Sequence, residues 1–426
     1  MKKISLESYK GVRDFYPEDQ AVQNYIFNTW RKVMESFGYL EYNASILEPL
    51  ELYKAQTSEE IINEQLYLFK DKGDRDVVLR PEMTPTVSRM IAAKWRDLPS
   101  PTRWYSIQNF FRYEKPQKGR LREFWQLNAD IFGTKNKEVD TEIIFLAYQT
   151  MKAFGAEESQ FEIRINNREM MNDLYKKIGI AENERQKISR IIDKKDKISK
   201  DAFDGALKEV IGEEKLNKLS YILDSGDQFF EEFKGEQAVK ETKEVIEDLK
   251  ARGIKNVRFS PTLTRGFDYY TGIIFEFFDT NPENPRSIVG GGRYDELVGE
   301  IAGENVPAIG FGWGDVLMKD FLEVHNLLPK LKSSTNLWIC IAPETDVQKV
   351  EEIAGKLREK GVNVGVDISG RKLPDQLKSL EKRNTPFVLV VGKDEIESGK
   401  FKVRNVETRE EKEGSFDEIS KFVIIR

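Results

Sequence analysis

Residues 110–133 read FFRYEKPQKGRLREFWQLNADIFG, two segments with strand-like alternation around a cationic loop. In the second segment Phe124, Gln126, Asn128 and Asp130 recur at every other position. Residues two apart point to one side of a strand, so Phe124, Gln126 and Asp130 share a face. Arg112 and Glu114 share a face of the first segment in the same way. Between the segments lie Lys115, Lys118, Arg120 and Arg122, too many cations too close together to stack in a core. The spacing leaves two readings. One is a hairpin platform for an anionic ligand, with an apolar body, a basic tip and a glutamine–carboxylate floor. The other is a solvated hairpin with an ordinary charged loop.

Upstream, 66–69 and 77–79 read as short paired strands joined by the turn-rich DKGDRD. The run RPEMT (80–84) follows at once, and 84–95 reads as a helix. This junction is either a ligand edge or simple capping, with Thr84 before Pro85. Val22, Ile26, Trp30, Val33 and Phe37 recur at helical spacing and predict a helix over 20–37, stopped by Gly38. A strand is expected over 39–47, and residues 1–20 read as an irregular arm with Gly, Pro and Asp turn signals.

Downstream, a helix is expected at 139–154 and a strand at 161–165. From about 167 to 250 the chain turns rich in Lys, Glu, Asp and Ile at helical spacing, a helical insertion with a solvated charged surface. Strands return at 257–260, 269–277 and 287–289. RGFDYYTG (265–272) is dense in groups that hold small polar ligands, or else is a packed strand with a buried tyrosine pair. GGGRYD (290–295) either brings backbone close to a ligand or makes a tight turn. No GxxxxGK[ST] phosphate loop occurs. After a linker at 329–335, a β-α-β-α-β alternation predicts a compact α/β domain with a largely parallel sheet.

The 426 residues are enough for two or three domains, and 39% hydrophobic with 33% charged residues describe a charge-rich globular chain. No apolar run approaches the roughly 20 residues of a membrane span. The start, MKKISLESYKGVRDFYPED, has no apolar signal core, so export is not expected. Cys340 is the only cysteine, which rules out an intrachain disulfide and a multi-cysteine metal site and fits a reducing cytoplasm. His325 is the only histidine and reads as a helix-end or surface residue. Histidine general-base and histidine-cluster mechanisms are therefore unsupported, and attention turns to Arg, carboxylate and Tyr. A net charge of −6 does not announce a nucleic-acid binder, although local basic patches can still attract phosphates.

Five segments, in order, resemble the histidyl-tRNA synthetase family of class II aminoacyl-tRNA synthetases. They are LRPEMT, the hairpin (similar to motif 2), RGFDYYTG, GGGRYDEL, and the tail with KLPDQLKSLEKRNTPFVLVVGKDE. The resemblance implies an α+β fold. An antiparallel β-sheet catalytic domain is flanked by helices and split into 1–166 and 254–328 around a helical insertion at 167–253. A linker at 329–335 then leads to a C-terminal α/β anticodon-binding domain at 336–426.

It also implies an ATP-dependent ligase that makes histidyl-adenylate and passes histidine to tRNA(His). Arg112 and Arg265 would be catalytic, holding the α-phosphate and stabilising the charge developing there. Glu82, Thr84, Gln126, Asp130, Tyr269 and Tyr270 would bind histidine. Arg112, Glu114 and Phe124 would bind ATP, and Lys115, Gln117, Lys118 and Arg120 would approach the tRNA acceptor end. Mg2+ would be held mainly by ATP phosphates rather than by protein ligands. A cytoplasmic homodimer is implied. The chain departs from the family at motif 3, where Val316 and Leu317 stand in place of Glu and Arg. In motif 1, Ser45 replaces a proline. The alternative is a non-catalytic relative such as the regulatory subunit of ATP phosphoribosyltransferase, which generally lacks the C-terminal domain.

Overall fold

In the computed structural model the hairpin is formed by Thr102–Phe111 and Glu123–Phe132, in register from Thr102 opposite Phe132 to Phe111 opposite Glu123. The structure describes residues 4–54, 61–192, 194–195, 198–226, 228–264, 269–330 and 333–424. The chain divides into two units, Met1–Leu328 and Pro329–Arg426.

The strands of the first unit are β1 (Leu40–Glu41), β2 (Leu47–Pro49), β3 (Tyr67–Lys70), β4 (Asp76–Leu79), β5 (Thr102–Phe111), β6 (Glu123–Phe132), β7 (Phe161–Asn167), β8 (Val257–Phe259), β9 (Ile273–Asp279), β10 (Ser287–Arg293) and β11 (Ala308–Gly314). Eight form one sheet in the order β1-β5-β6-β11-β10-β9-β7-β8, and β2-β4-β3 form a small antiparallel sheet. The large sheet is antiparallel from β5 through β7, with one parallel pair at each edge.

The two faces of that sheet differ in chemistry. Leu127, Ala129 and Ile131 of β6 share a buried core with Ile309, Phe311 and Trp313 of β11. Against them pack Ile26, Trp30 and Met34 of helix Pro17–Ser36, and Ile143, Ile144 and Ala147 of helix Glu138–Ala153. The alternate positions of β6, from Phe124 to Asp130, turn to the opposite face. Burying Leu127 and Ile131 contributes roughly 1.5–3 kcal/mol each. A one-residue slip would exchange those side chains for Gln126 and Asp130, so the register is strongly held.

Helices run from Arg168–Lys177 to Gln237–Ala251, and their apolar residues, Leu174, Leu207 and Leu249 among them, join the same core as the sheet. Asn167 caps the first helix by accepting from the amides of Glu169 and Met170.

Three local expectations change. The strand expected over 39–47 is broken, because the Ala44 and Ser45 carbonyls turn to the buried Arg80 guanidinium (Nη1 at 2.9 and 3.3 Å). The strand expected over 269–277 lies at Ile273–Asp279. The glycine run 290–292 is neither a turn nor an interruption: β10 continues through it to Arg293, paired on both edges.

The second unit holds β12 (Leu337–Ile341), β13 (Val364–Val366), β14 (Phe387–Val391), β15 (Phe401–Asn405) and β16 (Glu411–Gly414), ordered β13-β12-β14-β15-β16. The first two pairings are parallel, as the βαβ alternation requires. The last two are antiparallel: β15 returns alongside β14 after a short helix at Lys393–Ser398, and β15 and β16 form a hairpin before the final helix Phe416–Ile424. Leu337, Ile339, Leu357, Phe387 and Leu389 form its own core. No helix among the described residues is long and apolar enough to cross a membrane.

Candidate active site

The polar face of β6 floors a cavity of about 1210 Å³. Asp130 sits at its base, 4% exposed, and Gln126 and Asn128 line the same floor. Opposite them β11 carries Gly310 and Gly312. A Cβ on Gly310 would lie 1.9 Å from Asp130 Oδ1, and one on Gly312 would lie 2.7 Å from Gln126 Nε2. The glycines therefore make room for the two polar side chains. Tyr294 Oη donates to Asp130 Oδ1 at 2.5 Å. Burial pushes the Asp130 carboxyl up to about 7 despite that hydrogen bond, which acts in the opposite direction. Asn128 Nδ2 is buried and has no partner among the described residues, an unmet donor in the cavity floor.

One wall comes from the turn after β4 and the start of helix Thr84–Lys94. Tyr269 Oη donates to Glu82 Oε2 at 3.0 Å and reaches Thr84 Oγ1 at 3.4 Å. Tyr53 Oη donates to the Glu82 carbonyl at 3.3 Å, which steadies that turn. The rings of Tyr269 and Tyr270 are 5.0 Å apart. The result is a carboxylate, two hydroxyls and a tyrosine pair, suited to an ammonium and an aromatic ring.

The other wall is the base of the hairpin. Arg112 Nε donates to the Pro81 carbonyl at 2.9 Å, and its guanidinium carbon lies 5.5 Å from the Phe124 ring centre. Among the described residues its other N–H donors have no protein partner and are open to a ligand. Glu114 pairs with Arg120 at 3.2 Å. The loop closes through Gln117 and Arg120, whose amides and carbonyls exchange bonds of 3.1 and 2.9 Å around Gly119 at φ 75°. That left-handed conformation favours glycine. The N-terminal arm ties down this base: the Gly11 carbonyl accepts from Arg122 N at 2.7 Å, and Arg13 Nη2 donates to buried Asp315 Oδ2 at 2.7 Å.

Glu82, Thr84, Arg112, Glu114, Arg120, Phe124, Gln126, Asp130, Tyr269 and Tyr270 thus meet around one cavity. Lys115, Gln117 and Lys118 are exposed on the loop and do not line it. Arg265 lies outside the described residues. Arg293 of the GGGRYD run turns away from ligand chemistry: its guanidinium is buried on Asp140 (3.0 and 2.8 Å) and reaches Asp295 at 3.2 Å. Sequence reasoning missed Tyr294, one residue beyond Arg293, and Asn128, whose place in the alternation was the available signal. It also missed Arg286, in the turn before β10, and Gln186 and Arg190 of helix Glu182–Ile192, for which no motif gave a signal. Among the described residues no group of three or more His, Cys, Asp or Glu side chains is arranged to hold a metal ion.

Residues 11–314 match the family described as histidyl-tRNA synthetase, and residues 338–425 match an anticodon binding domain. A histidine–tRNA ligase of Leptospira biflexa serovar Patoc is 40% identical over 423 residues, covering 98% of this chain and 97% of the relative. One from Thermococcus kodakarensis is 37% identical over 421 residues, covering 96% and 95%. The crystal structure of histidyl-tRNA synthetase from Nostoc sp. PCC 7120 superposes with a TM-score of 0.83 at 24% identity, over 100% of both chains, a likeness of fold. A sheet-floored cavity sized for a nucleotide and an amino acid, in one chain with an anticodon-binding domain, defines an aminoacyl-tRNA synthetase. The chain belongs to the histidyl-tRNA synthetase family.

Proposed function

We infer that the cavity over β6 is the adenylation site of a histidine–tRNA ligase. In that reaction a histidine carboxylate oxygen attacks the α-phosphorus of ATP, the bond to pyrophosphate breaks, and histidyl-adenylate forms. A ribose hydroxyl of the tRNA then takes the histidyl group and AMP leaves. Such chemistry needs alignment and charge neutralisation more than a side-chain nucleophile.

One observation carries the reading: a buried carboxylate, Asp130, stands on the sheet floor of a cavity whose other walls suit an amino-acid head and a nucleotide. Asp130 would accept from an imidazole N–H, which discriminates against apolar isosteres. The tyrosines Tyr269 and Tyr270 would flank the ring. Glu82 and Thr84 would take the α-ammonium group, with Gln126 beside them. Arg112 would bridge the carboxylate and the α-phosphate, and Phe124 would stack on adenine. Arg265 would neutralise charge developing at the α-phosphate, and the loop residues Lys115, Gln117, Lys118 and Arg120 would meet the acceptor end.

Mg2+ prefers carboxylate, phosphate and water oxygens. Near the hairpin the cavity offers Glu114, already paired with Arg120. That donor set fits an ion carried mainly by ATP phosphates, where it would neutralise their charge. On the same reading 167–253 is an insertion within the catalytic core, 336–426 reads the anticodon, and the chain works as a cytoplasmic homodimer.

A non-catalytic relative is less supported. The crystal structure of an ATP phosphoribosyltransferase regulatory subunit/histidyl-tRNA synthetase from Bacillus halodurans superposes at TM-score 0.76 and 24% identity, over 92% of this chain and 99% of that one, which again speaks to fold. The present chain keeps the anticodon-binding match, and Glu82, Thr84, Arg112, Gln126, Asp130 and Tyr270 stand around the cavity. Histidine-dependent ATP–pyrophosphate exchange by purified protein tests the choice. Exchange supports the ligase; histidine binding with no exchange overturns it.

A further inference from the structure

Leu317 opens a question that the rest of the cavity answers. It lies in the first turn of helix Asp315–Val324, at the position where the resemblance implies an arginine. A Cβ built on Gly119, at the tip of the hairpin turn, would lie 2.8 Å from Leu317 Cδ2, 3.1 Å from Arg286 Cδ and 3.6 Å from Arg286 Nε. Leu317 and Arg286 therefore reach the same point from two different elements. We propose that Arg286 holds the terminal phosphates of ATP, supplying from the turn before β10 the cation that position 317 does not. This rests on the cavity being the adenylation site.

Arg112, Arg120 and Arg286 are among the guanidiniums that line the cavity. Arg112 is committed to the Pro81 carbonyl through Nε, and Arg120 to Glu114. Arg286 is half-buried and, among the described residues, makes no hydrogen bond or ion pair. A desolvated guanidinium beside a second cation is unfavourable until an anion sits between them. Burial and the nearby Arg120 charge both push the Arg286 pKa down, with Glu114 opposing them, so those three groups share one electrostatic environment. The forked donor geometry of arginine matches phosphate oxygens.

The turn that carries Arg286 is firmly held. Asp279 accepts from Asn281 N at 2.8 Å and from Asn284 Nδ2 at 2.9 Å, and the sole histidine, His325, bonds its carboxylate at 2.8 Å. A fixed backbone presents the side chain with less ordering to lose on binding. Its place in the cavity wall, rather than on the exposed loop, favours ATP over tRNA as the bound anion.

The test uses full-length protein with three variants: Arg286→Ala, Arg286→Lys, and Arg286→Ala combined with Leu317→Arg. Equilibrium dialysis with labelled ATP and AMP reads binding without requiring turnover. Arg286→Ala should weaken ATP roughly 10- to 100-fold, the range for losing hydrogen bonds to a charged group. It should leave AMP within about twofold, since AMP lacks the phosphates concerned. Arg286→Lys should fall between, and adding Leu317→Arg should recover much of the ATP affinity. Unchanged ATP affinity, equal loss of ATP and AMP, or an effect confined to the tRNA KM would each overturn the assignment. Absence of histidine-dependent exchange in the parent protein would instead remove the ligase reading, while the ATP–AMP contrast would still decide the role of Arg286.

Discussion

Asp130 and Gly310 stand opposite each other across β6 and β11, and the missing side chain of Gly310 is the space that the Asp130 carboxylate occupies. A carbon placed there would lie 1.9 Å from Oδ1, far inside van der Waals contact. The clash is with a buried carboxylate held by Tyr294, not with the far end of a flexible chain. Gly310→Ala should therefore displace Asp130 and raise the histidine KM roughly 10- to 100-fold, the range for a lost charged hydrogen bond. The ATP KM should change little. Steady-state exchange kinetics with each substrate varied in turn checks this, and an equal rise in both would mean a general collapse of the sheet.

The same carboxylate makes histidine use pH-dependent. Its pKa is raised by burial from 3.8 to about 7, so it loses the charge needed to accept from imidazole as pH falls through about 7. In the free enzyme kcat/KM for histidine should fall through that region. Free histidine titrates nearby at about 6.5 and contributes its own limb. Asp130→Asn should remove the enzyme's limb and keep the substrate's. The sign for stability is opposite. A carboxyl whose folded pKa is raised above the unfolded value loses stability as pH rises from 3.8 to about 7. Asp130→Asn should thus gain stability relative to the parent between pH 4 and pH 8 in urea melts.

Much of this site was legible in the sequence because β6 alternates cleanly. Phe124, Gln126 and Asp130 had to share a face whichever fold held them, and the apolar partners Leu127 and Ile131 fixed which face was core. The ligands of that face came from family resemblance, not from spacing. The antiparallel end of the second sheet escaped because helical alternation up to β14 carries no information about a later hairpin. Arg286 escaped for another reason: it meets Leu317 and Gly119 through tertiary packing across long sequence separations, and no local pattern marks it.

Arg293 sits in the most motif-like run of the chain yet acts as a strut. It is 7% exposed, and its guanidinium spans Asp140 and Asp295 between β10 and helix Glu138–Ala153. Burial raises the Asp140 carboxyl to about 6 even with that arginine beside it. Removing one partner of a buried pair leaves an uncompensated charge, at a cost of about 3–5 kcal/mol. Arg293→Met should lower the urea midpoint strongly at pH 8. Pairing it with Asp140→Leu should recover a large part of the loss, because the more buried carboxylate is then no longer stranded, while Asp295 still accepts from Ala308 N at 3.1 Å. A single variant as stable as the parent would show that the pair contributes nothing net.

Each of the two units has its own buried core: Leu127, Trp30 and Phe311 belong to the first, and Leu337, Leu389 and Phe387 to the second. The described residues that line the cavity all precede Pro329. Ending the chain at Leu328 should therefore keep a folded protein that exchanges pyrophosphate with histidine at a rate within a few-fold of the parent. If 336–426 reads the anticodon, the same truncation should raise the tRNA KM in charging while leaving the ATP and histidine KM values unaltered. Parallel exchange and charging assays separate these outcomes. Undiminished charging of full-length tRNA would take anticodon reading away from the C-terminal unit. Loss of exchange with the circular dichroism spectrum preserved would mean that adenylation itself depends on that unit.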